Sequence, residues 1–400
     1  MTSCLNPYPA IVKGGMTLAL LLSALHGQSQ GPVRIATDNP LKTRMDTLVQ
    51  GAAATFMQDP VRVGLSIGII RNGEIYTYNY GAAEKGKDVL PDSNTIYEIG
   101  SISKTFTGLL LAGALADGKI KLEDDIRRYL PGSYPNLACQ RQPVRIVHLA
   151  NHTAGLPPFL PDRPDIFRQP ADSIPFHLAR LHNHYTKEQL LKDLHAVKID
   201  TVPGIHYRYS NAGAQLIGFI LERVYHQTFD ALIRRYITGP LAMRQTGVVI
   251  PADTITLAKG YDAKGSRMPY IPAIMKYSGG MYASVSDMLR YIRFQLNEKN
   301  DIVRLSHSPT QRYTDSSGIG LYWRLNETSG KGRKIWHTGG TFGFSSYCVL
   351  YPEINTGIVL LSNEFDPASQ GSLIAIAEKI WQGLERNTFT GSAYPVSPAR

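Results

Sequence analysis

Apolar residues recur at every second position in two adjacent runs, Val63 to Ile70 and Glu74 to Tyr80, joined by Arg71-Asn72-Gly73. Asn-Gly between two such runs predicts a tight hairpin, because both residues tolerate the left-handed turn conformation. Ahead of it, the residues after about Leu41 carry an amphipathic helix pattern. From Ser101 to Met288 the spacing lengthens to that of helices. These are expected over Ser103 to Asp117, Val144 to Asn151, Thr186 to Val197, Ala212 to Tyr225, Phe229 to Ile237 and Val285 to Gln295. Strand character returns in Gly318 to Arg324, Lys334 to His337, Ser345 to Tyr351 and Thr356 to Ser362, before a last helix at Ser372 to Glu385. Strands at both ends of the chain and helices between them predict an α+β fold, an antiparallel sheet flanked by helices and built from both termini, with a mostly helical lobe inserted. The expected bounds are one domain over 40–386, an α/β lobe at about 40–100 and 289–386, a helical lobe at about 101–288, and a disordered tail over 387–400. Pro157 to Ala171, rich in Pro, Asp and Phe, reads as a long loop.

Composition adds two constraints. With 400 residues and 43% hydrophobic content the chain buries a large core, and its net charge of +10 favours anionic partners. The basic residues are scattered, and the nearest cluster, Lys331, Arg333 and Lys334, reads as a solvated hairpin loop; no basic stripe interleaved with aromatics points to nucleic acid. At the amino terminus, Met16 to Leu25 is an apolar run preceded by Lys13 and too short to span a bilayer. It is read as part of a signal peptide over 1–30, so the expected location is exported, periplasmic or extracellular, with no membrane span after cleavage. Of the three cysteines, Cys4, Cys139 and Cys348, the exported chain would keep the last two, as a pair or as thiols. Their spacing fits no metal site, and no cofactor motif is present.

The chemistry begins at Glu98-Ile-Gly-Ser-Ile-Ser-Lys104, where a strand gives way through Gly100 to an apolar helix. Ser101 falls at the helix start and Lys104 one turn on, on the same face, within reach of the hydroxyl. The positive end of a helix dipole disfavours a lysine. Phe106, Leu109, Leu110, Leu111 and Leu115 make the helix apolar nearly all round, so Lys104 enters the protein's centre, where burial lowers an amine's pKa and lets it take a proton from serine. By itself, Ser-x-x-Lys is equally compatible with a capping serine and a snorkelling lysine.

Two further segments add to it. Tyr207-Arg-Tyr-Ser-Asn-Ala-Gly213 puts Tyr209 and Asn211 in a turn before an apolar helix, whereas Tyr134-Pro-Asn136 has no such helix and reads as structural. In Trp336-His-Thr-Gly-Gly-Thr-Phe-Gly343 the glycines Gly339, Gly340 and Gly343 would let a substrate backbone approach an exposed strand edge, although a plain glycine-rich hairpin has the same composition.

In this order the three segments resemble the serine β-lactamase and penicillin-binding protein superfamily, in its class C β-lactamase-like branch with DD-carboxypeptidases, D-aminopeptidases and esterases. The resemblance runs from about Val63 to Trp381. It includes Val147-His-Leu-Ala-Asn-His-Thr-Ala-Gly-Leu-Pro157, Gly239 to Met243, and Ser278 to Ser284. It implies the β-lactamase/transpeptidase-like fold, Ser101 as the acylated nucleophile, and Lys104 and Tyr209 as its proton-transfer partners. A phenol near ammonium groups would be pushed toward phenolate. The resemblance also implies Asn211 for the substrate amide and for orienting the lysine, and the backbone amides of Ser101 and Gly340 as an oxyanion hole.

One departure bears on the substrate. Where class C β-lactamases have Lys-Thr-Gly, this chain has His337-Thr338-Gly339, and histidine holds a carboxylate as a cation only when protonated. Recognition would lean on the Thr338 hydroxyl and vary with pH. The activity expected first is a DD-carboxypeptidase or D-amino-acid peptidase acting on peptidoglycan-type peptides. The alternatives are a class C-like β-lactamase or promiscuous carboxylesterase acting on β-lactams or esters, and a non-catalytic penicillin-binding sensor.

Overall fold

The computed structural model describes residues 35–250, 256–328 and 332–389. The expected signal peptide, Cys4, Lys331 and residues 390–400 of the expected tail lie outside these.

The alternating runs assemble into one eight-stranded sheet. Its strands are Gly64–Arg71 (β1), Glu74–Gly81 (β2), Gln311–Thr314 (β3), Ser317–Ile319 (β4), Arg324–Thr328 (β5), Gly332–Gly340 (β6), Ser345–Tyr351 (β7) and Thr356–Ser362 (β8). Their spatial order is β2-β1-β8-β7-β6-β5-β4-β3, with every ladder antiparallel. The hairpin at Asn72-Gly73 forms as expected, with both residues at positive φ. Pairing of β1 with β8 joins the two ends of the chain, Leu65 opposite Ser362 and Arg71 opposite Thr356.

Alternation sorts side chains to the two faces. Leu65, Ile67 and Ile69, with Tyr347, Val349, Ile358 and Leu360, pack under helices Arg44–Met57 (α1) and Ser369–Phe389. Ile70, Cys348, Leu350, Val359 and Leu361 face the larger core of the helical region. Both faces are covered, which is why β7 and β8 are buried along their whole length. Cys139 and Cys348 are free thiols, and Cys348 is buried.

Ser103–Ala116 (α2) runs through the larger core, buried on nearly all sides as its composition predicts, with Phe106 stacked on Tyr291 at a centroid distance of 4.0 Å. Ser101 lies just before it, in a single 3-10 turn, Gly100–Ile102. Asn211–Tyr225 begins behind Ser210, whose hydroxyl accepts the Gly213 amide as an N-cap.

The structure differs from the sequence reading at several places. A helix, Ile174–Asn183, follows the Pro157 to Ala171 loop, and another covers Asp301–His307. The expected strand Gly318 to Arg324 covers the end of β4, a bend over 320–323 and the first residue of β5, and Gln311–Thr314 (β3) is a strand the sequence pattern did not mark. The closing helix runs to Phe389, three residues into the expected tail. Arg333 and Lys334 are not in a solvated loop; they lie in β6 and pair with Glu298, Glu353 and Glu378. Among the described residues no helix is long and apolar enough to cross a membrane, and no cluster of metal-ligating side chains occurs.

The depth of α2 sets up a test of packing against propensity. Glycine to alanine inside a helix ordinarily gains about 1 kcal/mol, and Gly51 in α1, with nothing within 4 Å of a Cβ, should show that gain. At Gly108 a Cβ would stand 2.2 Å from the Leu321 carbonyl oxygen. Gly108→Ala is therefore expected to cost about 1–3 kcal/mol through backbone displacement, lowering Tm by roughly 2–4 °C per kcal/mol, while Gly51→Ala raises it; differential scanning calorimetry reads both.

Candidate active site

The three motif segments converge on one cleft of about 390 Å³, lined among others by Ser101, Tyr209, Asn211, His337, Thr338 and Gly340. Ser101 Oγ is the centre. The Tyr209 hydroxyl donates to it at 2.7 Å, and Lys104 Nζ stands 3.1 Å away. Lys104 Nζ also lies 2.7 Å from Asn211 Oδ1 and 2.5 Å from the Ser278 carbonyl oxygen. All three partners are neutral oxygens.

Burial governs the electrostatics. The Lys104 side chain is fully enclosed, and loss of hydration pushes its pKa well below 10.5. The same effect acts on Tyr209 in the opposite sense to the sequence expectation: burial raises the phenol's pKa, and the hydrogen bond to Ser101 offsets this only in part. Tyr209 is a protonated donor here, not a phenolate. Lys104 Nζ lies 4.7 Å from the Tyr209 ring centroid, but burial disfavours its charged form too.

His337 also departs from expectation. It is buried, and its Nδ1 contacts the Thr338 carbonyl oxygen at 2.5 Å, which requires the proton on Nδ1 and leaves Nε2 as an acceptor. Burial lowers its pKa to about 3. At neutral pH it presents neither a cation nor a free N–H. The cation in the cleft is Arg324, at the start of β5. Its guanidinium lies over the Trp336 ring at 5.5 Å and donates to the Tyr207 hydroxyl at 2.9 Å. The sequence signal for it was slight, one arginine between Trp323 and Leu325 in an apolar run.

Strand β6 carries the third motif past the end of its neighbour. The ladder between β5 and β6 stops at Arg324 opposite Trp336, so His337 to Gly340 have β7 on one side and the cleft on the other. The edge is open, yet the glycines serve packing against the nucleophile turn. A Cβ at Gly339 would lie 2.1 Å from the Ile99 carbonyl oxygen, and one at Gly100 (φ +52°) 2.4 Å from Gly340 N. Gly100 thus needs both its left-handed φ and its lack of a side chain. Their contact brings the Gly340 amide against the corner that carries Ser101, whose own amide is in the first turn of a helix, where such groups have no intrahelical partner.

Behind Tyr209, a residue absent from the sequence reading of the site holds the motif in place. His152 (φ +58°) packs its ring 4.4 Å from the Tyr209 ring, accepts the Ser210 amide on Nδ1 at 3.2 Å, and takes the Arg208 amide on its carbonyl at 2.7 Å. A histidine in the Val147 to Pro157 segment was visible, but its partner was not.

A family model described as Beta-lactamase matches residues 49–379. The chain is 27% identical over 366 residues to a beta-lactamase of Pseudomonas fluorescens, covering 82% of this chain and 96% of that one. It is 29% identical to protein flp of Staphylococcus aureus (strain N315) over 75% of this chain, and spans only 59% of that protein's length. Among solved structures, a beta-lactamase/D-alanine carboxypeptidase from Pseudomonas syringae superposes with a TM-score of 0.70 at 25% identity, over 85% of this chain and 99% of that one. A class C beta-lactamase reaches a TM-score of 0.71 at 24% identity, over 85% of this chain and 96% of that one, which establishes the fold. With the serine, lysine and tyrosine gathered at one hydroxyl and the family matched over most of its length, this chain belongs to the beta-lactamase family of serine hydrolases.

Proposed function

We propose that the chain hydrolyses its substrate through a covalent acyl-enzyme on Ser101, and that the bond cleaved is an amide whose departing half carries a carboxylate, as in D-amino-acid peptides of peptidoglycan type. The observation that carries the first part is the set of contacts around Lys104. A neutral amine has two hydrogens and one lone pair. The Ser278 carbonyl and the Asn211 amide oxygen can only accept, so they take the two hydrogens, and the lone pair is left for the Ser101 hydroxyl.

Proton transfer then has a direction. Lys104 takes the Ser101 proton as Oγ bonds to the substrate carbonyl carbon, and the oxyanion forms against the Ser101 and Gly340 amides. Collapse breaks the bond to the leaving nitrogen, which receives the Tyr209 proton, and the proton held on Lys104 restores the phenol. Water repeats the sequence on the ester and releases the acid. With its oxygen turned to Lys104, the Asn211 side chain has its NH2 for the substrate's acyl-side carbonyl.

The carboxylate half of the proposal rests on Arg324, a cation lining the same cleft as Thr338, together with a His337 that carries no charge. The similar Pseudomonas syringae structure, described as a beta-lactamase/D-alanine carboxypeptidase, is consistent with it. Export is supported by the run Met16 to Leu25 alone.

Four outcomes are expected. Lys104→Arg, always protonated, should lower kcat roughly 10³-fold or more, and intact mass spectrometry should no longer find a penicillin adduct on Ser101 that the parent chain forms. Arg324→Ala should raise KM for a D-Ala-D-Ala peptide by roughly 10–100-fold, the worth of a charge-assisted contact, with a much smaller change for an aryl ester lacking a carboxylate. For pH, the working Lys104 is neutral, so protonation through its lowered pKa removes the base and kcat/KM falls toward acid; His337, neutral above about pH 3, adds no step. Nitrogen-15 NMR of the histidines should find His337 as the Nδ1–H tautomer throughout pH 5–8, and its titration in that interval would contradict the assignment.

A further inference from the structure

The cleft holds a charged group and an apolar wall. Among the described residues that line it, the charged side chain is Arg324, carried by the sheet, and none is acidic. Beyond Ser101, Tyr209 and Asn211, the helical region contributes an apolar wall of Phe159, Leu178, Ile271, Pro272 and Met275, with the His182 ring at its edge. This wall begins next to Asn211, because the Pro158 carbonyl accepts the Asn211 amide at 2.9 Å and Phe159 follows directly. Its far part is braced. The His182 ring packs between the Leu178 carbonyl, 2.9 Å from Nδ1, and the Leu160 carbonyl, 3.0 Å from Nε2, and its single N–H can donate to one of them, between Ile174–Asn183 and the loop that carries Phe159. Leu178 is thereby fixed facing the cleft, and the same helix packs near the turn Ala273–Tyr277 that carries Met275.

We infer that the acyl group received by Ser101 bears an apolar substituent, an alkyl chain or aromatic ring of about six carbons, seated among Phe159, Leu178 and Met275, and that a cationic side chain is excluded there. The inference rests on the acyl-transfer reading above: with the carboxylate of the departing half at Arg324, the acyl half is left to the wall beside Asn211. An ammonium group placed against that wall would lose hydration and meet no carboxylate. An alkyl group would leave water for a surface already shaped to it. The preferred substrates are thus N-acylated compounds with uncharged, apolar acyl groups, in preference to stem peptides whose acyl half carries a free amine.

A matched pair of 3-carboxyphenyl esters tests this, one of N-hexanoylglycine and one of N-(6-aminohexanoyl)glycine, which differ only by a terminal ammonium. The readout is kcat/KM for the full chain at pH 7, each divided by the ester's spontaneous hydrolysis rate, with Ser101 acylation followed by intact mass. The hexanoyl ester should be faster by roughly thirtyfold. That ratio should shrink by about tenfold in Phe159→Ala and in Leu178→Ala, and a loss of folded protein cancels because both esters are measured on one preparation. Equal rates with Ser101 acylated by both esters, or a ratio that neither substitution moves, would overturn the apolar-acyl inference and leave the acyl-enzyme intact. Hydrolysis of neither ester, with Ser101 unmodified, would overturn the acyl-enzyme reading and this inference with it.

Discussion

The amine of Lys104 is enclosed by three neutral oxygens and no carboxylate, and the rest of the cleft follows from that enclosure. A buried ammonium without a counter-charge costs several kcal/mol, so the group sheds its proton instead. Burial is enforced by the neighbours of Lys104 on α2. Phe106, Leu110 and Leu111 are each almost wholly buried and contribute about 1.5–3 kcal/mol apiece, which offsets the loss of hydration at one amine. A more exposed helix would keep the lysine charged and useless as a base.

The same dryness accounts for what the sequence misjudged. Ser101, Lys104, Tyr209 and Asn211 were legible because each falls at a break between patterns, where a strand or loop meets an apolar helix. Their protonation was only partly legible. Proximity to a cation suggested a phenolate at Tyr209 and a titrating His337, but proximity is one of two opposing effects, and the other depends on enclosure by residues distant in the sequence, such as His152 on Tyr209. Arg324 was hidden for a related reason: on a strand one charged residue between apolar ones reads as solvent-facing, and its position between Tyr207 and Trp336 exists only after the sheet has met the helical region.

The fold was more readable than the site's boundaries. The apolar runs marked β1, β2, β6, β7 and β8 of the central sheet but not the outer strand Gln311–Thr314 or most of β5, and the joining of both chain ends followed from their placement. Ile174–Asn183 was lost among prolines and aromatics, since Pro175 near its first turn looks like a break although proline is tolerated there. Gly320 to Trp323 carried strand composition yet forms the bend between two strands, with Tyr322 at φ +70°. In both cases tertiary packing overrode a local preference.

The four residues of β6 that extend past β5 have a consequence for the life of the protein in a crowded solution. Unpaired strand edges template the pairing of one chain with another, and longer flat ones are a route to aggregation. Here the free stretch is shorter than an ordinary strand and is set within the walls of a cleft. A peptide can reach it, whereas the edge of another folded sheet cannot, so the protein keeps a reactive backbone available without becoming a seed for its own assembly.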